Sequence, residues 1–304
     1  MTNVTWHRGI GADINSDMSI DEQLAIAGLD WYVYTSPITY GLAYNQRTSN
    51  SRKAVYRSDT GMLLDTASQY WQPFQNRDIV ETFHQFCDKA GLTVDHLGSL
   101  HDGRTIFASA ELPVTLDIRE VGDIVKARII LLNYHTVGKG LQVKLQAERL
   151  VCTNGMTMPI RHGSKVITHV GGFDASRIDR LLGATFETFE NYAGDAQKLA
   201  STEITYEQAI LLLINAFGDP HKPVHEQPKV VETCLSLFCG LAKGSEMLSA
   251  YNTAWGLLNA VTEHINHGSQ VRGGTATHLG SLLLGNKAAK QASFAQQLVS
   301  VAAR

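Results

Sequence analysis

Apolar and polar residues alternate most clearly at the centre of the chain. From Ile124 to Tyr134, and again from Leu141 to Leu150, the pattern has a period of two, with Gly138-Lys139-Gly140 between the runs. That period marks half-buried strands and the glycines mark a turn, so the stretch predicts a β-hairpin. On the second strand Leu141, Val143, Leu145 and Ala147 form the buried side, and Gln142, Lys144, Gln146 and Glu148 the polar side. On the first strand Lys126 and Arg128 share a face.

Further strands are expected on both sides of the first long helix. Leu29–Tyr34 is aromatic and β-branched, and Pro37 ends it. Ile38–Ala43 and Ala54–Arg57 follow as strands, with Asn45–Arg52 as a polar tip between them, and Met62–Thr66 as another. Thr93–Leu100 and Arg104–Leu112 form a hairpin around His101-Asp102-Gly103, closed by Pro113, and Lys165–Val170 is one more strand. Helical spacing predicts a short helix over Met18–Gly28. A longer one runs over Arg77–Ala90, capped by Asn76, ended by Gly91 and carrying Ile79, Val80, Phe83, Phe86 and Cys87 on one side.

After Gly171-Gly172 the period shifts to that of helices. They are expected over Asp174–Ala200 (with weak points at Gly183 or Gly194), from Thr205 with Gln208 at the capping-box position, and near Lys229–Leu241, Asn252–Ile265 and Asn286–Val301. Three prolines make Asp219–Pro228 a surface loop. The fold class is α+β: an antiparallel, β-rich N-terminal half with a packed helix, followed by a helical C-terminal half. The division is 1–172, a β-rich core with the basic hairpin, and 173–304, a helical region.

Composition adds three constraints. With 304 residues and 44% hydrophobic content the chain can bury a sizeable core. Its apolar runs fall far short of the ~20 residues that span a bilayer, and the N-terminus lacks a basic-then-apolar leader, so a cytoplasmic location without membrane contact is expected. Cys87, Cys152, Cys234 and Cys239 show no C-x-x-C spacing and are expected as buried, reduced thiols.

Charge then changes the picture. The chain carries −3, but from Ile124 to Gly172 seven Lys or Arg stand against one acid, so that window is +6 and the rest −9. Lys126, Arg128, Lys139, Lys144, Arg149, Arg161 and Lys165 are the candidate phosphate contacts, and Tyr134 the candidate base-stacking residue. The partner expected is single-stranded nucleic acid. No G-x-S-x-G elbow, phosphate loop, H-E-x-x-H or clustered Asp/Glu motif is present, so no enzyme activity, cofactor or metal is expected. Two other readings stay open. Glu263, His264, His267 and His278 offer a metal-dependent alternative, and the acidic remainder suits a protein-interaction module acting against a host defence.

Several short marks carry a resemblance. They are Gly28-Leu29-Asp30-Trp31, Tyr70 with Gln75-Asn76, Gly98-Ser99-Leu100, Gly103-Arg104 and Arg149 to Asn154. Near the C-terminus come Asn252 to Trp255, Asn259 to Glu263, His267, Gly285, Lys287 and Lys290. In that order the chain resembles a bacterial, phage and plasmid family known as phage/plasmid-like proteins and as domain of unknown function 932. The resemblance departs at Asn266, where an acid is usual, and at His264, a tyrosine-like position. It implies a mobile-element context. A weaker architectural likeness to phage single-strand annealing proteins implies recombination without covalent chemistry, by a homo-oligomeric ring or filament.

Overall fold

In the computed structural model, which describes residues 5–152, 154–159, 166–269 and 272–303, the alternating runs become two antiparallel sheets. The chain begins with β1 (Ala12–Asp13) and α1 (Ile20–Ile26). A capping box fixes the start of α1: Ser19 Oγ accepts from the Glu22 amide while the Glu22 carboxylate accepts from the Ser19 amide. Next come β2 (Val33–Leu42), β3 (Asn45–Arg57) and β4 (Leu63–Ser68), which form the smaller sheet in the order β2-β3-β4. α2 (Asn76–Ala90) ends at Gly91, whose φ of 67° is left-handed and suits glycine.

The larger sheet follows with β5 (Val94–Leu100), β6 (Thr105–Ile118), β7 (Asp123–Tyr134), β8 (Gln142–Arg149) and β9 (Asn154–Pro159). Its order is β1-β5-β6-β7-β8-β9. Six α-helices follow among the described residues: α3 (Ala175–Ser201), α4 (Tyr206–Phe217), α5 (Lys229–Ser236), α6 (Ala254–Glu263), α7 (Gly274–Leu284) and α8 (Asn286–Ala302). The α+β class and the central hairpin are therefore present, with β7 and β8 paired from Val125↔Arg149 to Leu132↔Gln142.

Both faces of the larger sheet are covered. The odd positions of β7 (Val125, Ala127, Ile129, Leu131) and of β8 (Val143, Leu145, Ala147) join Phe83 of α2, Leu182 of α3, Leu257 of α6 and Phe294 of α8 in one buried cluster. Each such large side chain contributes about 1.5–3 kcal/mol on burial. The boundary at residue 172 thus marks a change of element type, but the strands and helices share one core. On the opposite face Ile130, Leu132 and Tyr134 pack with Phe107, with Leu279 and Leu283 of α7, and with Trp6 and Ile10 of the N-terminal segment. Burial on two faces explains why Ile129–Leu132 is continuously apolar rather than alternating.

A polar network crosses between the two regions. The Arg149 guanidinium donates from Nε and Nη2 to both oxygens of Asp123, at 2.6 and 2.9 Å. Asp123 also accepts from Ser249 Oγ (2.6 Å) and from Trp255 Nε1 (3.0 Å). Arg149 further donates to the carbonyls of Lys243 and Gly244. Asp123 is 0% and Arg149 2% exposed, so the charges are paired in a site with little water.

Several expectations are corrected. β2 runs through Pro37 and β6 through Pro113, because each proline sits at a register irregularity (Pro37/Thr39 and Glu111/Thr115), where a missing N–H breaks no ladder bond. Asn45–Arg52 is strand, not tip. α3 is unbroken through Gly183 and Gly194; each glycine costs about 1 kcal/mol, and the buried side of a 27-residue helix offsets it. Asn76 is inside α2 rather than its cap, and β9 and α7 are additional. Of the strand expected over Lys165–Val170, Lys165 lies outside the described residues, and Ile167 and Val170 form only isolated bridges. Cys87, Cys152 and Cys234 are buried but Cys239 is exposed. No helix among the described residues is long and apolar enough to cross a membrane.

The root of the smaller sheet is tied to β7 by buried polar groups. Asn76 donates from Nδ2 to the carbonyls of Leu29 (3.0 Å) and Trp31 (3.1 Å). Its Oδ1 lies 2.9 Å from His135 Nε2, and Asn133 Nδ2 lies 3.3 Å from His135 Nδ1. These partners suit a neutral imidazole donating from Nε2 and accepting at Nδ1. Burial, with the neighbouring His169 and Arg57, pushes the His135 pKa down to about 3.

Two outcomes follow. Asp123→Ala leaves the Arg149 charge buried and alone, and is expected to cost about 3–5 kcal/mol in urea unfolding; adding Arg149→Met recovers part of that loss. His135 is neutral when folded and protonates more readily when unfolded. Its contribution is complete above the unfolded pKa of about 6.5 and is lost as pH falls from there toward about 3. Between pH 7.5 and 5 that loss amounts to about 1–2 kcal/mol, and His135→Asn, although less stable at pH 7.5, is expected to show a smaller drop over that interval.

Candidate nucleic-acid interface

The basic hairpin is not a free basic surface. Lys126 Nζ donates to Glu111 Oε1 at 2.6 Å. Arg128 is 12% exposed on its side chain and donates from Nη1 to Asp95 Oδ2 at 2.7 Å. Arg128 also reaches Glu111 (3.4 Å), with its guanidinium 4.9 Å from the Trp6 ring. Glu148, half-buried on the neighbouring strand, has its pKa raised by that burial, an effect that Arg128 opposes. Asp95 and Glu111 come from β5 and β6, outside the sequence window in which cations outnumber acids. Lys144 is half-buried on the same side of β8.

Two of the predicted residues are corrected outright. Arg149 cannot meet a phosphate, because it is buried against Asp123 beneath the helices. Its odd position, in step with Leu145 and Ala147, already placed it on the core side. Tyr134 is buried with Leu279 and Leu283, so its ring is not open to a base; burial pushes its pKa up to about 12. Lys139 is exposed on the β7–β8 loop, 5.0 Å over the Tyr134 ring. Arg161 and Lys165 lie outside the described residues.

The metal alternative also dissolves. Lys287 Nζ lies 3.0 Å from His278 Nε2 and donates to the carbonyls of Ile265 and Ser269, so a cation already occupies the middle of that segment. Burial, with Arg8 and Lys287 nearby, lowers the His278 pKa to about 4. The Glu263 carboxylate accepts from the Lys243 amide. Among the described residues, Glu263, His264, His267 and His278 form no ligand set.

A different element has the composition that the hairpin lacks. β2 and β3 form an arm whose root is buried through Val33 and Val55 and whose far end stands in solvent. From Trp31 to Arg57 there are four Arg or Lys, no Asp or Glu, and five of the ten tyrosines. Arg57 is committed to the root: it pairs with Asp59 at 2.7 Å and lies 4.3 Å from the Trp31 ring. Arg47, Arg52 and Lys53 carry no ion pair among the described residues, and Arg47 and Arg52 are exposed.

Aromatic rings sit among these cations. Tyr32 and Tyr34 are parallel within 9° with centroids 6.3 Å apart, and Tyr34 meets Tyr56 edge-on at 6.1 Å. Tyr34 lies opposite Tyr56, and Arg52, four residues before Tyr56 on β3, faces the same way. Further out Tyr40 lies opposite Arg47, and Tyr44 at the turn is 86% exposed. Lys139 belongs to this end of the molecule, since the Val137 amide on its loop donates to Asp65 of β4. Such an element can stack bases on phenol faces and neutralise phosphates beside them.

Sequence reasoning missed the arm for a physical reason. Both faces of its outer part are solvated, so Asn45–Arg52 shows no period of two, and Pro37 imitates a strand end. The available signal was compositional: 27 residues without an acid, rich in tyrosine.

A family model described as Domain of unknown function (DUF932) matches residues 63–283, which include β4 through most of α7. No curated protein and no solved structure matches the chain.

Proposed function

We propose that this chain, which belongs to the family described as domain of unknown function 932, binds single-stranded nucleic acid through the β2–β3 arm. The observation that carries the reading is the arm itself: Arg47, Arg52 and Lys53, without an ion pair among the described residues, beside exposed Tyr34, Tyr40 and Tyr44, with no acid between Trp31 and Arg57. Phosphates would meet the cations and bases the phenol rings, while a rigid duplex hides its base faces from such rings. The reading requires no covalent chemistry. In a phage or plasmid setting it extends to strand annealing, with copies assembled in a ring or filament so that successive arms hold one strand for pairing with its complement.

Binding is expected to weaken steeply with salt. Arg47→Ala/Arg52→Ala/Lys53→Ala should reduce affinity for a labelled single-stranded oligonucleotide at least tenfold in fluorescence anisotropy. It should also flatten the log–log salt slope by about 2, since each phosphate contact contributes about 0.7. Tyr34→Ala or Tyr44→Ala should cost about 1–3 kcal/mol. Lys126→Ala should leave affinity within about twofold, because that lysine is already paired with Glu111. Absence of binding at low salt, or full affinity in the triple arm variant, contradicts the proposal.

A further inference from the structure

A second cluster lies at the β1 edge of the larger sheet and is independent of the arm. His7, Asp13 and His96 each offer one ligand atom, and these atoms all lie within 4.8 Å of one another. His96 Nδ1 is 2.8 Å from Asp13 Oδ1, and His7 Nε2 is 3.7 Å from the same oxygen. Donors held about 2.0–2.2 Å from a tetrahedral ion are about 3.4 Å apart, so the two separations bracket the required spacing.

The backbone builds this grouping from distant positions. Asp13 on β1 lies directly opposite His96 on β5. The preceding turn brings His7 back over His96, with Arg8, Gly9 and Gly11 all at positive φ (54°, 75° and 90°). A Cβ on Gly11 would stand 2.2 Å from the Leu97 carbonyl oxygen, so this close approach requires glycine. The two imidazole rings lie with centroids 3.8 Å apart, tilted by 33°.

The orientation of His96 is itself informative. Its side chain is 2% exposed, and Nε2 lies 2.7 Å from the Ile10 carbonyl. Nε2–H donates to that carbonyl, so Nδ1 is the nitrogen that faces Asp13, and its contact with the carboxylate needs either a proton or a cation between the two atoms. A backbone carbonyl holding the non-ligating nitrogen is the usual support of a metal-binding histidine. Asp13, in contrast, is 85% exposed on its side chain, so the cluster opens to solvent. Beside it is a cavity of about 250 Å³ lined by Trp6, Asp95, Arg128 and Glu148 among others.

We propose that His7, Asp13 and His96 form a binding site for a divalent first-row transition-metal ion such as Zn²⁺. Two imidazoles and one carboxylate suit such an ion better than Mg²⁺ or Ca²⁺, which favour all-oxygen sets. Three protein ligands leave positions on the ion open toward the cavity. Its occupant there would be water or an anionic group that Arg128 can face.

The test uses the full chain, stripped with chelator and titrated at pH 7.5 with Zn²⁺ by calorimetry and with Co²⁺ by absorption. One equivalent is expected per chain. Co²⁺ should also quench tryptophan fluorescence, because the Trp6 ring lies 5.5 and 5.6 Å from the two histidine rings; Trp6→Phe should remove most of that quenching. His7→Gln and Asp13→Asn should each weaken Zn²⁺ binding at least tenfold. Asp13 is exposed, so its variant stays folded and keeps the test decisive even where His96→Gln is unstable. Absence of stoichiometric binding, or affinity unchanged in His7→Gln/Asp13→Asn, overturns the proposal; the latter result would assign the ion to surface histidines elsewhere.

Discussion

The Asp123 carboxylate holds the molecule together. It sits at the start of β7, fully buried, and receives hydrogen bonds from Arg149 on the next strand and from Ser249 and Trp255 of the helical region. A buried charge is tolerated only when its partners are complete, and here they come from both halves of the chain. The same network turns Arg149 toward the helices and fixes where they dock. Once the odd-numbered face of β7 and β8 is committed to that docking, the even-numbered face is left to α7, the N-terminal segment and the polar cluster around Arg128.

This division governs what each charge can do. On the sheet, cations from β7 meet acids from β5 and β6, and the face is nearly neutral despite the local excess of lysine and arginine. Cross-strand neighbours are far apart in sequence, so a linear window cannot count them. The arm differs because its outer strands have few neighbours. Arg47 and Arg52 keep their charge exposed to solvent, and Tyr34, Tyr40 and Tyr44 stand in solvent beside them, which is the physical ground of the proposal that nucleic acid binds there.

Much of the fold was legible in the sequence because burial is one-sided or helical over most of its length. Period two located β7 and β8, helical spacing located α1, α2, α4 and α8, and Gly91 and the Thr205/Gln208 capping box marked helix ends. What stayed hidden lacked that signal. β7 between Ile129 and Leu132 is buried on both faces, the outer arm on neither, and prolines at bulges imitate strand ends. Arg149 was readable from parity and was misassigned by charge alone. His7, Asp13 and His96 were not legible as a group, because a positive-φ turn and a strand pairing across 83 residues bring them together.

The central claim is that nucleic acid lies on the arm and not on the basic hairpin. Ultraviolet crosslinking of the intact protein to a single-stranded oligonucleotide, followed by peptide mapping, addresses it without any substitution. The account predicts crosslinks at the exposed tyrosines between Tyr32 and Tyr56, lost on raising salt. Crosslinks confined to peptides of β7 and β8 would contradict it.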